Sequence, residues 1–424
     1  MYRAINAVVL FLKRIIPKSV VSPLRTPYHF FINFLAALGA GFPAKKLVVI
    51  GVTGTKGKST VTDLIYTTLL DNGYAVAAAS TIRFAIKEKS EPNLFKMTLP
   101  GRGFIQDFLG RAVQAGCTHA VVEITSESTK NFRHLFLNLD VLVFTNLQKE
   151  HIESHGSMEK YAAAKMKIGK QLVASPKRPR AIIANADDPA STRYLALPVE
   201  NKIPFSYRDA KDVELLPGRV AFTFKNTLFR MQLPGSFNIM NALAAANAVQ
   251  CAGLSLEKSA ASLAKLERVP GRTERINAGQ PFQVIVDYAH TPDSLAALYA
   301  AYPGRKVCVL GNTGGGRDTW KRPEMGRIAD ESCEKVILTD EDPYDEEPRA
   351  IIDAMARGMN RIPEIIMDRR EAIRAALRVA HSGDTVLISG KGTDPFIMGA
   401  RGMKTPWSDA RVAREELERL LAEL

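Results

Sequence analysis

Acidic residues are missing from the start of this chain: none precedes Asp63, while residues 1–46 carry seven Lys and Arg. Over all 424 residues the formal net charge is +13, an imbalance that suggests nucleic acid, an anionic membrane or a phosphorylated substrate as partner. Beyond residue 46 the chain is only mildly basic and carries no RNP, KH or zinc-finger pattern, which sets nucleic acid aside. Cysteine is scarce too. Cys117, Cys251, Cys308 and Cys333 form no CxxC pair, which reads against a disulfide framework and a zinc ribbon and for a reducing cytosol. Low-complexity tracts and short internal repeats are absent, and no N-terminal apolar run reaches the roughly 18–20 residues that would span a bilayer.

What is present is alternation. Short apolar runs recur from residue 47: LVVI (47–50), AVVEI (120–124), VLVFTN (141–146), AIIAN (181–185), VIVDYA (284–289), KVCVLG (306–311), KVILTD (335–340) and TVLISG (385–390). Each leads into a Gly-rich or polar turn and, usually, a helix-period segment. Buried strands alternating with helices predict an α/β fold with mostly parallel sheets, whose ligands sit at the carboxyl ends of the strands. The length suits two or three domains. A boundary falls near VPGRTERI (269–276), giving a basic segment at 1–46, one α/β domain at 47–272 and a second, Rossmann-like α/β domain at 273–424.

LVVIGVTGTKGKST (47–60) reads as strand, glycine loop and helix start. Gly54 and Gly57 allow backbone N–H groups to turn around phosphate oxygens, and the helix N-terminus adds its dipole. Lys58 would reach the β- and γ-phosphates of ATP, and the Ser59 hydroxyl would ligate Mg²⁺, with Thr55 and Thr60 completing the cradle. Val52 stands where the strict P-loop has glycine. After the loop, Val61, Leu64, Ile65, Thr68 and Leu69 fall on one helix face, with Gly73 at its end.

The form GTxGKST resembles the Mur ligase version of this loop, and the resemblance runs through nearly all of 47–424. VVEITSES (121–128), FTNLQKEHIESHGSMEKYAAAK (144–165), NADDP (185–189), LPGSFNIMNALAAANA (233–248), VPGRTERI, VDYAHTPDSL (286–295), GGGRDTWKRPEMG (314–326) and SGKGT (389–393) follow in family order. The detail of DYAHTP and RDxxKRP is similar to the MurE-like branch. The resemblance implies an ATP-dependent, ADP-forming ligase that activates a carboxylate as an acyl phosphate and joins it to an amine, adding an amino acid to an anionic muropeptide-type acceptor.

It also implies roles. Lys58, Lys165, His151 and Arg317 would form the catalytic set. Glu123, His151 and Ser59 would hold metal, joined by Lys165 as a carbamate, which turns a cation into a ligand anion. Asn238 and Asn241 would lie on the adenine side, their alternative being helix N-caps, Asp287 at the ribose and Arg272 near the phosphates. Thr98, Ser126, Arg317, Tyr344, Gly390 and Asp394 would face the substrates. Several of these come from the second domain, so the site should form only on closure, which excludes water.

The chain departs from the family at several places. Glu150-His151-Ile152-Glu153 replaces D-H-L-D, Glu127 replaces the histidine of S-S-H, and the loop at 311–318 is one residue longer. Tyr344 stands where D-N-P-R supplies an arginine fork for meso-diaminopimelate, so the sequence expects no strong preference for that amino acid over lysine. Thr393-Asp394 replaces the H-E of G-K-G-H-E. MurE proteins begin with a UDP-binding domain of roughly 90–100 residues; residues 1–46 do not resemble it, so either the UDP end is held differently or the acceptor is not a UDP-sugar. Folylpolyglutamate synthase is the alternative enzyme, and a non-catalytic, membrane-associated nucleotide-binding scaffold the alternative from another class. Read as a helix, Ile5, Val8, Val9, Leu12 and Ile16 oppose Arg3, Lys13, Arg14 and Lys18. Pro17, Pro23 and Pro27 then break the chain before FFINFLAALGAGF (30–42). The expected place is the cytoplasm, with residues 1–46 either packed on the protein or holding it to an anionic membrane surface.

Overall fold

In the computed structural model, which describes residues 18–101, 103–150 and 152–423, the apolar runs become strands of two mostly parallel sheets. The first contains β1 (Val48–Thr53), β2 (Val76–Ala79), β3 (Arg83–Ile86), β4 (Lys89–Pro92), β5 (His119–Glu123), β6 (Val141–Phe144), β7 (Ala181–Asn185) and β8 (Asn201–Phe205). Their order is β4-β3-β2-β5-β1-β6-β7-β8, parallel from β2 to β8 with β3 and β4 as an antiparallel edge. Strands covered on both faces need continuous apolar runs rather than alternation. The helices that cover them are α2 (Lys58–Asp71), α3 (Phe104–Gln114), α4 (Met158–Ala174) and α5 (Ser236–Cys251), and α1 (Lys18–Gly39) packs on α3. Val61, Leu64, Ile65, Thr68 and Leu69 of α2 are all buried. Val61, Leu64, Ile65 and Leu69 share one core with α5 and with Ile50, Val52 and Val143 of the sheet. The opposite face packs Phe108 of α3 and Ile168 and Leu172 of α4 against Val49, Val122 and Leu142.

An antiparallel meander, β9 (Lys211–Leu216), β10 (Arg219–Phe224) and β11 (Thr227–Met231), leads into α5. The second large sheet holds β12 (Glu274–Ile276), β13 (Gln283–Asp287), β14 (Lys306–Leu310), β15 (Lys335–Leu338), β16 (Glu364–Ile365) and β17 (Thr385–Ser389). Its order is β12-β13-β17-β14-β15-β16, with only β12 antiparallel. Helices α6 (Lys321–Ser332), α7 (Arg369–Arg378) and α8 (Asp409–Ala422) flank it.

Two expectations need correcting. Helix α1 runs unbroken through Pro23 and Pro27. Each proline removes an N–H donor and crowds the preceding turn, but downstream the helix is tied by tertiary contacts: Ile32, Asn33 and Ala37 are buried, and Asn33 Nδ2 donates to Asn131 O at 3.0 Å. Pro17 and the helical face from Ile5 to Ile16 lie outside the described residues. The cysteines were also misread, because Cys308 and Cys333 form a disulfide. Cys308 lies on β14 and Cys333 caps α6, and a β-α-β crossover brings these ends together without a CxxC signal. Cysteine usage therefore does not decide the compartment. Among the described residues no helix is long and apolar enough to cross a membrane.

Register places the site. Val52 pairs with Glu123 and Thr53 with Phe144, so β1, β5 and β6 end together beside the glycine loop. Asp287 pairs with Ser389, which sets residues 390–394 beside 288–290. A buried ion pair holds the second set of strand ends. Arg369 donates Nε to Asp409 Oδ1 at 2.8 Å and Nη2 to Oδ2 at 2.7 Å, and also reaches the carbonyls of Ser389 (2.8 Å) and Asp340 (3.3 Å). Both side chains are excluded from solvent, so Asp409→Ala would leave a guanidinium buried without its anion. The expected loss is about 3–5 kcal/mol of stability in urea denaturation; a change within 0.5 kcal/mol would show that the pair does not organise these ends.

Candidate active site

One large cavity of about 1010 Å³ opens where the carboxyl ends of both sheets face each other. The glycine loop forms its floor. Gly54 (φ +146°) and Gly57 (φ +79°) lie in backbone regions that favour glycine, and a Cβ at Gly57 would stand 2.4 Å from Asn241 Oδ1. The loop is propped from behind by β6: Lys56 N donates to Asn146 Oδ1 at 2.8 Å and Thr145 Oγ1 donates to Lys56 O at 2.6 Å. Thr55 Oγ1 lies 3.0 Å from Tyr161 Oη on α4. Lys58 curls back so that Nζ donates to Thr55 O at 2.6 Å, and burial lowers its pKa against the pull of Glu123 and Glu150.

Glu123 is buried at the end of β5, and the partners of its carboxylate are neutral. Ser59 Oγ donates at 3.0 Å, Thr81 N at 2.8 Å and Thr81 Oγ1 at 3.1 Å. Among the described residues this desolvated carboxylate touches a hydroxyl but no cation, an environment that suits a hard divalent ion with oxygen ligands. Among the described residues no three His, Cys, Asp or Glu gather as a metal cage. His151 lies outside the described residues. Lys165, on α4, is buried beneath the loop and donates Nζ to Gly54 O. Burial, then the neighbouring Lys58, push its pKa well below the ordinary lysine value.

Asn238 and Asn241 sit inside α5, whose N-cap is Gly235, so the capping alternative falls away. Asn238 Nδ2 donates to Pro234 O at 2.8 Å and Asn241 Nδ2 to Asn238 Oδ1 at 3.1 Å. Arg272 extends across to the loop, with Nη2 3.4 Å from Ser59 Oγ and its guanidinium 4.3 Å from the Tyr288 ring. Asp287 lines the cavity but also accepts from Thr273 N (2.6 Å) and Ala289 N (2.7 Å), and burial raises its pKa. Thr98 Oγ1 lies 2.7 Å from Thr81 Oγ1, and Ser126 Oγ lies 3.1 Å from His155 Nε2. Glu127, the acid in place of the family's histidine, is matched by Lys130 at 2.9 Å and His155 at 3.1 Å. Thr55, Thr60, Arg317, Tyr344 and Asp394 line the cavity, whereas Gly54, Lys165 and Gly390 lie behind its wall. At Gly390 (φ +107°) a Cβ would meet Glu341 Oε2 at 2.3 Å, so this glycine makes room for a buried carboxylate.

Comparison with known proteins fits this geometry. The Mur ligase middle domain matches residues 52–249, and the Mur ligase glutamate ligase domain matches residues 271–392. A UDP-N-acetylmuramyl-tripeptide synthetase of a Roseiflexus species is 37% identical over 416 residues, covering 91% of this chain and 81% of that protein. The chain belongs to the Mur ligase family. A UDP-N-acetylmuramoyl-L-alanyl-D-glutamate–2,6-diaminopimelate ligase of a Nostoc species is 38% identical, again over 91% of this chain and 81% of its own length. A solved structure of a ligase with the same name is 28% identical, with a TM-score of 0.60 over 88% of this chain and 79% of that one. A Mycobacterium tuberculosis folylpolyglutamate synthase with ADP shares the fold at a TM-score of 0.70, over 89% of this chain and 95% of that chain, but only 15% identity.

As a Mur ligase, the protein is an ATP-dependent, ADP-forming amide ligase of peptidoglycan precursor synthesis. Its cavity contains residues that the motif reading passed over. Glu150 accepts from Lys56 Nζ at 2.9 Å and lies 2.8 Å from His290 Nε2, joining the first sheet's loops to the second's. Lys321 Nζ donates to His290 O at 2.9 Å. Lys56, Glu150 and His290 all lie within the quoted motifs, but their pairing across the two sheets had no local signal. Lys96 and Arg133, also in the cavity wall, lie outside every motif.

Proposed function

We propose that this Mur ligase adds an amino acid to the free carboxylate of a muramoyl-peptide acceptor, and that the catalytic machinery is the loop-centred set Lys58, Glu123, Lys165, Arg272 and Arg317, to which the family motif adds His151. The single observation that carries the reading is the shared cavity, in which the phosphate loop, the buried Glu123 and Arg317 face one space. The reaction needs the γ-phosphate and the acceptor carboxylate, two anions, held together. Lys58 and Arg272 neutralise the phosphates, and catalysis is then mostly positioning. Phosphoryl transfer to the carboxylate releases ADP, and attack by the amine forms the amide and releases phosphate. Enclosure between the two sheets keeps water from the acyl phosphate. Ser59 and Glu123 would hold Mg²⁺, which supplies charge neutralisation for the phosphates. Asn238 and Asn241 support the loop on its adenine side, and Asp287 faces the ribose.

Lys165 works here as a carbamate. A cationic Lys165 would be buried within the field of a second cation, Lys58. The neutral amine that burial favours is the form that reacts with CO₂, and the product replaces a cation with an anion. Its N–H can still donate to Gly54 O.

We also propose that the N-terminal segment rests on an anionic lipid surface, placing the enzyme peripherally at the cytoplasmic face of a membrane. Phe31, Leu35 and Leu38 of α1 are 59%, 56% and 53% exposed and fall at helical spacing on the side away from buried Ile32, Asn33 and Ala37. The seven cations of residues 1–46 with no acid complement anionic headgroups.

Lys58→Ala should fold normally and lose roughly 10²–10³-fold in ATP turnover dependent on both acceptor and amino acid; near-normal turnover would refute the loop assignment. For Lys165→Ala, formate or acetate should restore part of the lost activity, and ¹³C-bicarbonate should give the wild type a carbamate resonance that the variant lacks. Lowering the pH should erase the resonance as the amine protonates, and its absence at neutral pH in the active enzyme would sink the idea. Full-length protein should co-sediment with phosphatidylglycerol-containing vesicles at low salt, release as salt rises, and lose binding in a Phe31→Ser/Leu35→Ser/Leu38→Ser variant. Indifference to those vesicles, or burial of the same face in a dimer of this chain, would exclude the lipid reading.

A further inference from the structure

At one end of the cavity a lysine of the first sheet's edge loop enters a pair of carboxylates carried by the second sheet. Lys96 follows β4, and its Nζ lies 2.5 Å from Asp342 Oδ2 and 3.4 Å from Asp394 Oδ2. The same ammonium stands 5.7 Å from the centre of the Tyr344 ring. Behind this group Lys391, fully buried, donates Nζ to Asp342 Oδ1 at 2.8 Å and to Phe396 O at 2.6 Å, and lies 3.5 Å from Asp394. Two lysines therefore face two aspartates, with buried Glu341 and the Arg369–Asp409 pair close enough to act on them electrostatically. Arg317 is a further charge in the cavity wall. Its guanidinium stacks 4.7 Å from the Tyr344 ring and makes no ion pair among the described residues. Lys96, Arg317, Asp342, Tyr344 and Asp394 all line the cavity.

We propose that Lys96 determines which amino acid this enzyme accepts. The inference rests on the ligase reading above and on residues 344 and 394 facing the incoming amino acid. Without Lys96, Asp342 and Asp394 would form an acidic subsite suited to a substrate side chain that ends in a lone ammonium. With Lys96 in place, the chain's own ammonium already occupies that subsite, held on Tyr344 by cation–π attraction. A second ammonium would meet it at close range, and like-charge contact in a partly desolvated pocket is a strong basis for rejection. The uncompensated Arg317 instead favours a side chain ending in a carboxylate, alone or as a zwitterion. Tyr344 read alone points to no strong discrimination against lysine; Lys96 supplies the discrimination from a different part of the sequence.

The test compares wild type, Lys96→Met and Lys96→Arg with lysine, ornithine and diaminopimelate at saturating ATP and acceptor. Wild type and Lys96→Arg should favour diaminopimelate. Lys96→Met should lower the KM for lysine and ornithine by about tenfold or more and shift the kcat/KM ratio toward them. Titration calorimetry of lysine binding to wild type and Lys96→Met, with ADP present, gives a second readout that does not need turnover. If no muramoyl-peptide acceptor supports turnover in wild type, the ligase reading fails, while the calorimetry still decides the role of Lys96. A uniform fall in kcat for all amino acids, with unchanged ratios and no gain in lysine binding, would mean that Lys96 only fastens the two sheets together, and the proposal would be overturned.

Discussion

Two neighbouring lysines, one in the glycine loop and one buried beneath it, set the terms for this protein. Lys165 is buried beneath the loop while Lys58 faces the cavity; burial lowers the proton affinity of both, and Lys58 lowers that of Lys165 further. Desolvated like charges are costly unless anions come to them. The elements around the loop are arranged to receive such anions. Glu123 and Glu150 stand nearby as fixed carboxylates, and the remaining space in front of the loop is cavity. A nucleotide triphosphate and an acceptor carboxylate supply the anions that the fold itself leaves short.

Parallel topology lets so many charged groups meet. In both sheets the strand register ends neighbouring strands at the same level, so loops from distant parts of the chain converge on one edge. The two edges then face each other, and contacts such as Glu150 with His290 and Lys96 with Asp342 pass directly from one to the other. The contacts that join the two halves are also cavity walls.

Helix α1 extends this logic to the periphery. Its buried face seats the segment around Asn131 through Asn33, and Asn131 and Arg133 belong to the cavity wall. Phe34, Phe42 and Phe136 form an aromatic cluster beside it, with ring centroids about 6 Å apart. The helix is thus part of the support for one rim of the site, while its opposite face carries exposed apolar side chains.

Much of this was legible in the sequence. The apolar runs at 47–50, 120–124, 141–146 and 284–289 became strands because a strand covered on both faces must be apolar throughout. The loop around Lys58 declared itself because glycine spacing and a following helix are local features. The motifs also named most of the side chains that meet in the cavity, from Glu123 to Asp394. What the sequence could not express was neighbourhood. Cys308 meets Cys333 only because a crossover helix returns beside β14, and α1 survives two prolines only because packing downstream outweighs the lost hydrogen bonds. Asn241 is pressed against Gly57 by the packing of α5 on α2. Lys96, in a loop with no motif, gains its meaning from two aspartates about 250 and 300 positions away, where tertiary structure places a fixed ammonium and so sets the charge left for a ligand to meet.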